Sequence, residues 1–353
     1  MDTLNQVTAA HHQIAEELAA QGVRWVSAVY PDVAGRPRGK VVPVDHLPQL
    51  VAGSERFTPR GLDGLGEMDP VEDECTTLPD VARISVLPWN REVAVMPADL
   101  RQEGEPYALC CRSILKEQLG RAEALGFRFQ LGVETEFYVL QRDKETNALS
   151  PLWPSGQRRP SPAYLFDAAV DALGFLGPMV DAMNELGFGV FSFDQEGGEG
   201  QYEFDFDHDD ALSMADKLLL FRMMAKHYAE EAGGFASFMP KPAGQAWGSG
   251  AHFNMSLEDL DGENLFRDED QQWTPLAASF SAGILAHGRA MPAITNPTVN
   301  SYKRLVNSLS SGGVSWAPTW ISVGDNNRSC MLRLPRNRPA VENRLVDSAA
   351  NTY

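Results

Sequence analysis

The sequence predicts a two-domain α+β protein, and three observations carry that reading. Strictly alternating runs, of which "FRFQLGVETEFYV" (127–139) is the longest, read as strands with one apolar face. Stripes at helical spacing, such as Val7, His11, Ile14 and Leu18, are interspersed among them. The polar stretch "RQEGEP" (101–106) then separates a small N-terminal part, strands with one helix, from a larger remainder. The expected domains are 1–105 and 106–353.

In chain order, the first helix is expected to end at Gly22, followed by a strand in "VRWVSAVY" and a return through "PDVAGRPRGK". Residues 43–80 are rich in Gly, Pro and Asp and are expected to be irregular, with short strands following in "RISVLPW" and "EVAVMPADL". Leu115, Leu119 and Ala122 mark a helix ending at Gly126, and the long alternating run comes next. Helices are expected at 165–186, 211–232 and 276–290. Between the first two, "FGVFSFDQEGGEGQYEFDF" reads as a hairpin. "SGAHFNMSL", "CMLRLP" and "AVENRLV" are the remaining strands. No repeat and no low-complexity segment is present.

Composition excludes several classes. A formal charge of −18 is the wrong sign for a phosphate-backbone binder or a basic membrane-surface helix. No apolar run is long enough to span a bilayer, and "MDTLNQVTAAHH" has no secretory pattern. Cys75, Cys110, Cys111 and Cys330 lack zinc or redox spacing and fit reduced thiols, so a cytoplasmic location is expected. With 43% hydrophobic residues the chain has enough apolar material for a sizeable core.

The chemistry lies in the strands. Glu134 and Glu136 share a face of the long alternating run, about 7 Å apart by strand geometry. Two like charges so placed repel unless a cation sits between them. In the hairpin, Asp194 and Glu196 share one face and so do Glu203 and Asp205, while Phe191, Phe193, Tyr202, Phe204 and Phe206 occupy the opposite one. His252, Asn254 and Ser256 point together, as do Glu342 and Arg344. Taken singly, each is better read as a solvated strand residue, or for His252 as a hydrogen-bonded structural histidine. Together they suggest a divalent-cation bed, and oxygen-rich ligation with one histidine favours Mg²⁺ or Mn²⁺ over zinc. Arg304, Arg328, Arg333 and Arg344 supply the guanidinium forks that bind carboxylate and phosphate. Each alone reads as surface charge, but beside metal carboxylates they suggest phosphoryl transfer. No Walker A sequence and no H-R-D catalytic loop is present, so a nucleotide site would be of another kind.

The ordered set "GVETEFYVL", "GQYEFDF", "FMPKP", "GSGAHFNMSL", "NPTVNSYKRLV", "NNRSCMLRLP" and "ENRLVDSAANTY" resembles the motifs of the glutamine synthetase family. The likeness runs from about residue 25 to the end and is strongest to the branch of glutamate–methylamine ligases and γ-glutamyl-amine synthetases. The resemblance implies a β-grasp-like N-terminal domain, a catalytic domain on a curved antiparallel sheet, and a ring-shaped homo-oligomer, a dodecamer being expected. It implies that Glu136, Glu196 and Glu203 bind one divalent ion and Glu134, His252 and Glu342 a second. It assigns L-glutamate to Arg304, Arg344 and the backbone at Gly248, the transferring phosphoryl group to Arg328, and ATP to Arg333 and Ser256. The implied reaction phosphorylates the side-chain carboxylate of glutamate with ATP. An amine then displaces phosphate.

Departures from the family pattern bear on the amine. The flap glutamate of ammonia-using members, six positions after the arginine of "NSYKR", corresponds to Ser310 here. Asp63 in "GLDGLG" corresponds to a second acid of the ammonium site. Trp247 stands where an asparagine is usual, and Asn254 where a second histidine is usual. Ser310 and Trp247 favour a larger, more apolar amine, of the alkylamine or aniline type, over ammonium. Ordinary glutamine synthetase and a non-catalytic assembly relative are the alternatives. The family continues beyond the tyrosine of "ANTY" with mostly helical sequence, and that part is missing from the expected catalytic domain.

Overall fold

The structure is a computed structural model that describes residues 6–61, 71–159, 163–244, 246–306 and 316–353. Asp63 and Ser310 lie outside the described residues. Two compact units are present, Met1–Gly120 with Thr352–Tyr353, and Arg121–Asn351.

The smaller unit opens with helix α1 (Ala9–Ala20), which Gly22 leaves at φ 91°. Its strands are β1 (Trp25–Pro31), β2 (Pro37–Arg38), β3 (Val41–Pro43), β4 (Arg56–Phe57), β5 (Cys75–Pro79), β6 (Ser85–Leu87), β7 (Asn90–Gln102) and β8 (Glu105–Pro106). They pair in the order β2-β1-β7-β5-β4, with β3 on β1 and both β6 and β8 on β7. The β1–β7 pair is parallel. Val26, Ala28, Ala94, Met96 and Ala98 pack beneath Ala15 and Leu18 of α1 to form the core. Residues 43–80, expected as irregular, hold the short helix α2 (Leu47–Val51) and the buried strand β5. Neither carries a periodic signature, because both faces of "CTTLP" are covered and α2 is barely more than one turn. The polar stretch 101–106 forms the turn that joins β7 to β8.

Helix α3 (Cys111–Ala124) leads into β9 (Arg128–Arg142), the spine of the larger unit. The other strands of its sheet are β10 (Leu149–Pro151), β11 (Val190–Gln195), β12 (Gln201–Phe206), β13 (Asp209–Asp210), β14 (Phe235–Ser237), β15 (Ala251–Glu258), β16 (Val323–Asp325), β17 (Leu332–Leu334) and β18 (Val341–Asn343). The order is β11-β12-β9-β15-β18-β17-β16, with β10, β13 and β14 also on β9. Neighbours are antiparallel apart from β16 and β17. The larger unit is thus a mixed helix-and-strand fold on a curled sheet.

Helices α4 (Phe166–Glu185) and α5 (Ala211–Glu231) back the other face. Phe137 of β9 stacks on Phe204 at 6.1 Å and meets Phe221 of α5 edge-on at 5.7 Å. Phe175 of α4 meets Tyr202 edge-on at 5.8 Å. Helix α6 (Pro275–Ala286) packs over Leu257, Leu332 and Val341. Two short helices, α7 (Pro292–Thr295) and α8 (Ser301–Arg304), carry the chain to the rim of the cavity described below. Phe193, Tyr202, Phe204 and Phe206 of the hairpin are therefore committed to packing, which leaves the opposite face for polar groups, whereas Phe191, at a register shift between Val190 and Ser192, is exposed.

Candidate active site

Register places the polar side chains in rows across the sheet. Asp194 pairs with Glu203, and Glu203 pairs with Glu136. Glu134 pairs with His252. Asn254 pairs with Glu342, and Glu342 with Arg333. Directly opposed residues share a face, and residues two apart on a strand do too. All eight side chains therefore belong to one face, and all but Asn254 and Glu342 line an open cavity of about 600 Å³. Its lining also includes Arg304, Arg328, Arg344, Trp247 and Gly248.

Ligand atoms of Glu136, Glu196 and Glu203 all lie within 4.8 Å of one another, the grouping the resemblance implies. Those of Glu134, Glu203 and His252 do so as well. Glu342 is placed differently from the other expected members of the second set. It is fully buried and engaged by arginines: Arg333 at 2.7 Å, Arg338 at 3.3 Å, and Arg344 in contact. Arg338 also reaches Glu134 at 2.9 Å. Nothing in the spacing of the sequence singles out Arg338, one of several basic residues in "RLPRNRP".

The electrostatics split the acids into two kinds. Burial and the Glu136 charge push Glu196 up to about 7. Burial, with Glu136, Glu134 and Glu196 around it, raises Glu203 well above the usual carboxylate range. Asp194, buried and close to Asp205 and Glu136, is pushed up to about 6. Burial also acts on Glu134, but His252, Arg338 and Asn254 outweigh it and hold that carboxyl at about 2. Glu136 is held by two hydrogen-bond donors, with His252 Nε2 3.6 Å from its Oε1. Gln201 Nε2 donates to its Oε2 at 3.0 Å and the Gly250 amide at 2.9 Å. Gln201 is a further residue that the sequence reading did not select, although it sits inside the quoted "GQYEFDF". Asp194 Oδ1 is buried without a hydrogen-bond partner, and His252 Nδ1 stands 3.5 Å from Glu134 Oε2. Clustered hard oxygen donors, two of them with raised pKa values and one orphaned nearby, fit a divalent cation.

Arg304 is buried, and its guanidinium donates to the carbonyls of Leu345 and Arg344, each at 3.1 Å. Burial lowers its pKa from the ordinary arginine value. Gly248 permits this placement, since a Cβ there would lie 2.7 Å from Arg304 Cγ. Arg344 Nε donates to the Arg328 carbonyl at 2.8 Å, which joins an arginine expected at glutamate to the one expected at the phosphoryl group. Ser256 is buried on β15 opposite Gln130 and does not line the cavity, whereas Arg333 does. Arg333 is anchored to Asn326 Oδ1 at 2.7 Å. Trp247 is half-exposed at the cavity wall, with its ring 6.2 Å from that of Trp316. Trp316 had no motif to mark it in the sequence.

A sheet face of clustered acids beneath a ring of arginines is the architecture of an acid-activating carbon–nitrogen ligase. The family described as "Glutamine synthetase, catalytic domain" matches residues 108–353, and the chain belongs to the glutamine synthetase family. The glutamate–methylamine ligase of Methyloversatilis universalis is 35% identical over 335 residues, covering 94% of this chain and 74% of that protein. The glutamine synthetase of Rhizobium meliloti is 34% identical over 336 residues, covering 94% and 75%. Among solved structures, a GmaS/ADP complex superimposes with a TM-score of 0.88 at 33% identity, covering 97% of this chain and 78% of that one. Plasmodium falciparum glutamine synthetase shares the fold, with a TM-score of 0.83 at 21% identity, covering 100% and 74%. Among the described residues no helix is long and apolar enough to cross a membrane, and all four cysteines are free.

Proposed function

We propose that this protein is an ATP-dependent ligase that joins the γ-carboxylate of L-glutamate to an organic amine, of the alkylamine or aniline type, through γ-glutamyl phosphate. The observation that carries the reading is the Glu136–Glu196–Glu203 cluster facing an arginine-lined cavity whose wall is Trp247. Glu136, Glu196 and Glu203 would hold one Mg²⁺ or Mn²⁺, and Glu134 and His252, with Glu342, a second. Such ions supply charge neutralisation at phosphate oxygens.

The protein's own groups account for the rest. A carboxylate is a poor acyl donor because its leaving group is oxide, and phosphorylation replaces that with phosphate. Arg304 and Arg344, beside Gly248, orient glutamate. Arg328 offsets charge on the transferring phosphoryl group, and Arg333 and Ser256 serve the nucleotide. Ser256 would act from its buried position through the strand rather than from the cavity wall. Asp63 and Ser310 remain proposed contributors to the amine site. An N-terminal β-grasp-like domain spanning 1–105, a catalytic domain from 106, a dodecameric ring and a cytoplasmic location belong to the same reading. Purified protein given ATP, Mg²⁺ or Mn²⁺, glutamate and a panel of amines should release phosphate in an amine-dependent way. The absence of any release overturns the reading.

Ammonia is the competing acceptor, because identities to the methylamine ligase and to a glutamine synthetase are nearly equal. A higher kcat/KM for ammonia than for every organic amine would establish that reading. A non-catalytic assembly role ranks last, since all six expected metal-ligand positions carry side chains able to coordinate.

A further inference from the structure

We propose that Trp316 and Trp247 together form a rigid aromatic corner that selects amines carrying an aromatic ring, so that an arylalkylamine such as benzylamine is a better acceptor than methylamine. This rests on the ligase reading above and narrows its amine class.

The corner is built rather than incidental. Three successive carbonyls of the Trp247 loop are held by side chains. Lys241 Nζ donates to Ala246, Tyr138 Oη to Trp247 at 2.8 Å, and Gln201 Nε2 to Gly248 at 3.0 Å. Backbone pinned on both sides of a residue fixes the position and direction from which its side chain leaves the chain. The indole is seated as well: it lies against Gly197, where a Cβ would come within 2.5 Å of the ring. Trp316 meets Trp247 edge to face, 6.2 Å between centroids and 70° between planes. The Arg328 guanidinium stands 5.7 Å from the Trp316 ring, a cation–π distance that ties the corner to the proposed phosphoryl site.

Both indoles keep nearly half their surface open, 49% for Trp247 and 44% for Trp316, and both line the cavity. Most of the remaining wall is charged. Large aromatic surface left open in a charged pocket is the unusual feature, and a ring is the ligand group that complements it. A third ring, Tyr164, also lines the cavity. Its backbone is held at φ 65°, rare for a bulky residue, with its amide bonded to the Gln195 carbonyl at 2.9 Å.

The corner acts on the second half-reaction. The amine nitrogen bonds to the γ-carbonyl carbon, the bond from that carbon to the phosphate oxygen breaks, inorganic phosphate leaves, and the amine's proton passes to solvent. A ring held by Trp247 and Trp316 brings its amino group to that carbon, so the effect belongs in KM for the amine. Amines without a ring gain nothing from the corner.

The test compares benzylamine with methylamine in amine-dependent phosphate release by wild type, W316L and W316F, with thermal unfolding as a check on folding. Wild type should prefer benzylamine. In W316L the benzylamine-to-methylamine ratio of kcat/KM should fall about tenfold through the KM for benzylamine, since an aromatic pair is worth roughly one decade in binding. W316F should recover most of it. A wild type with no preference for benzylamine, or a ratio unmoved in W316L, overturns the inference while leaving the ligase reading intact. If no amine supports phosphate release the ligase reading fails. Saturation-transfer NMR of benzylamine then decides the corner: transfer to its ring protons in wild type that is lost in W316L supports it, and no transfer in wild type overturns it.

Discussion

Glu136 and Glu203 face each other directly across the β9–β12 pair, on the face that floors the cavity. Like charges in that position destabilise a sheet. The fold settles the conflict asymmetrically: Gln201 and the Gly250 amide hold Glu136, and Glu203 is left in a setting that favours its protonated form.

Substitution E203Q should therefore separate stability from function. A neutral amide removes the cost of holding this buried carboxyl protonated among its acidic neighbours, so the metal-free protein should be stabilised, by roughly 1 kcal/mol or more, read from urea unfolding. Calorimetric Mn²⁺ affinity should fall by more than the roughly 10–100-fold that loss of a ligand's outer partner costs. Unchanged Mn²⁺ binding would remove Glu203 from the proposed ligand set.

The pH dependence follows with a definite sign. Glu196 has its pKa raised from 4.5 to about 7, so the folded metal-free protein binds more protons than the unfolded chain between those values. That contribution is fully present below 4.5 and is lost as pH rises through about 7. Over this window it amounts to at most ~3 kcal/mol. Glu134, held at about 2, acts in a separate window: its contribution is present above 4.5 and is lost as pH falls toward 2. Metal-free thermal stability should thus decline from pH 5 to pH 8, while the Mn²⁺-induced rise in Tm should grow over the same range, because the ion displaces protons. Equal Mn²⁺ stabilisation at both pH values would contradict this.

Arg304 donates to two buried carbonyls; Asn296 Nδ2 also donates to that of Leu345 at 2.9 Å, so R304A would orphan the Arg344 carbonyl alone. For that one orphaned group a loss of about 1–3 kcal/mol is expected, measurable by denaturant titration. R304K should restore part of the stability but not the KM for glutamate, since an ammonium cannot reproduce the fork. A glutamate KM unchanged in R304K would rule out a substrate contact.

Trp247 depends on its neighbours. G197A would place a methyl 2.5 Å from the indole and force it off its seat. Y138F removes the bond to the Trp247 carbonyl, at a cost of about 1 kcal/mol. Both should speed amide exchange in residues 246–248, and G197A should in addition shift tryptophan emission. Exchange rates matching wild type in both variants would mean that the loop is held by other contacts.

By itself the sequence determined the long strand at 127–139, the hairpin after it, the helices behind them and the polar face of each strand. All of these are periodic signals, set by residues near one another in the chain. It could not determine that β5 is a strand, since a segment covered on both faces shows no alternation. Nor could it determine that Arg338 bridges Glu134 and Glu342, that Gln201 holds Glu136, or that Trp316 meets Trp247. Register and loop closure decide such pairings: apart from Arg338 with Glu342, four positions along, they join residues dozens to more than a hundred positions apart. The acids and arginines were legible along the chain, whereas which acid joins the carboxylate cluster and which faces an arginine was decided only when the curled sheet placed them side by side.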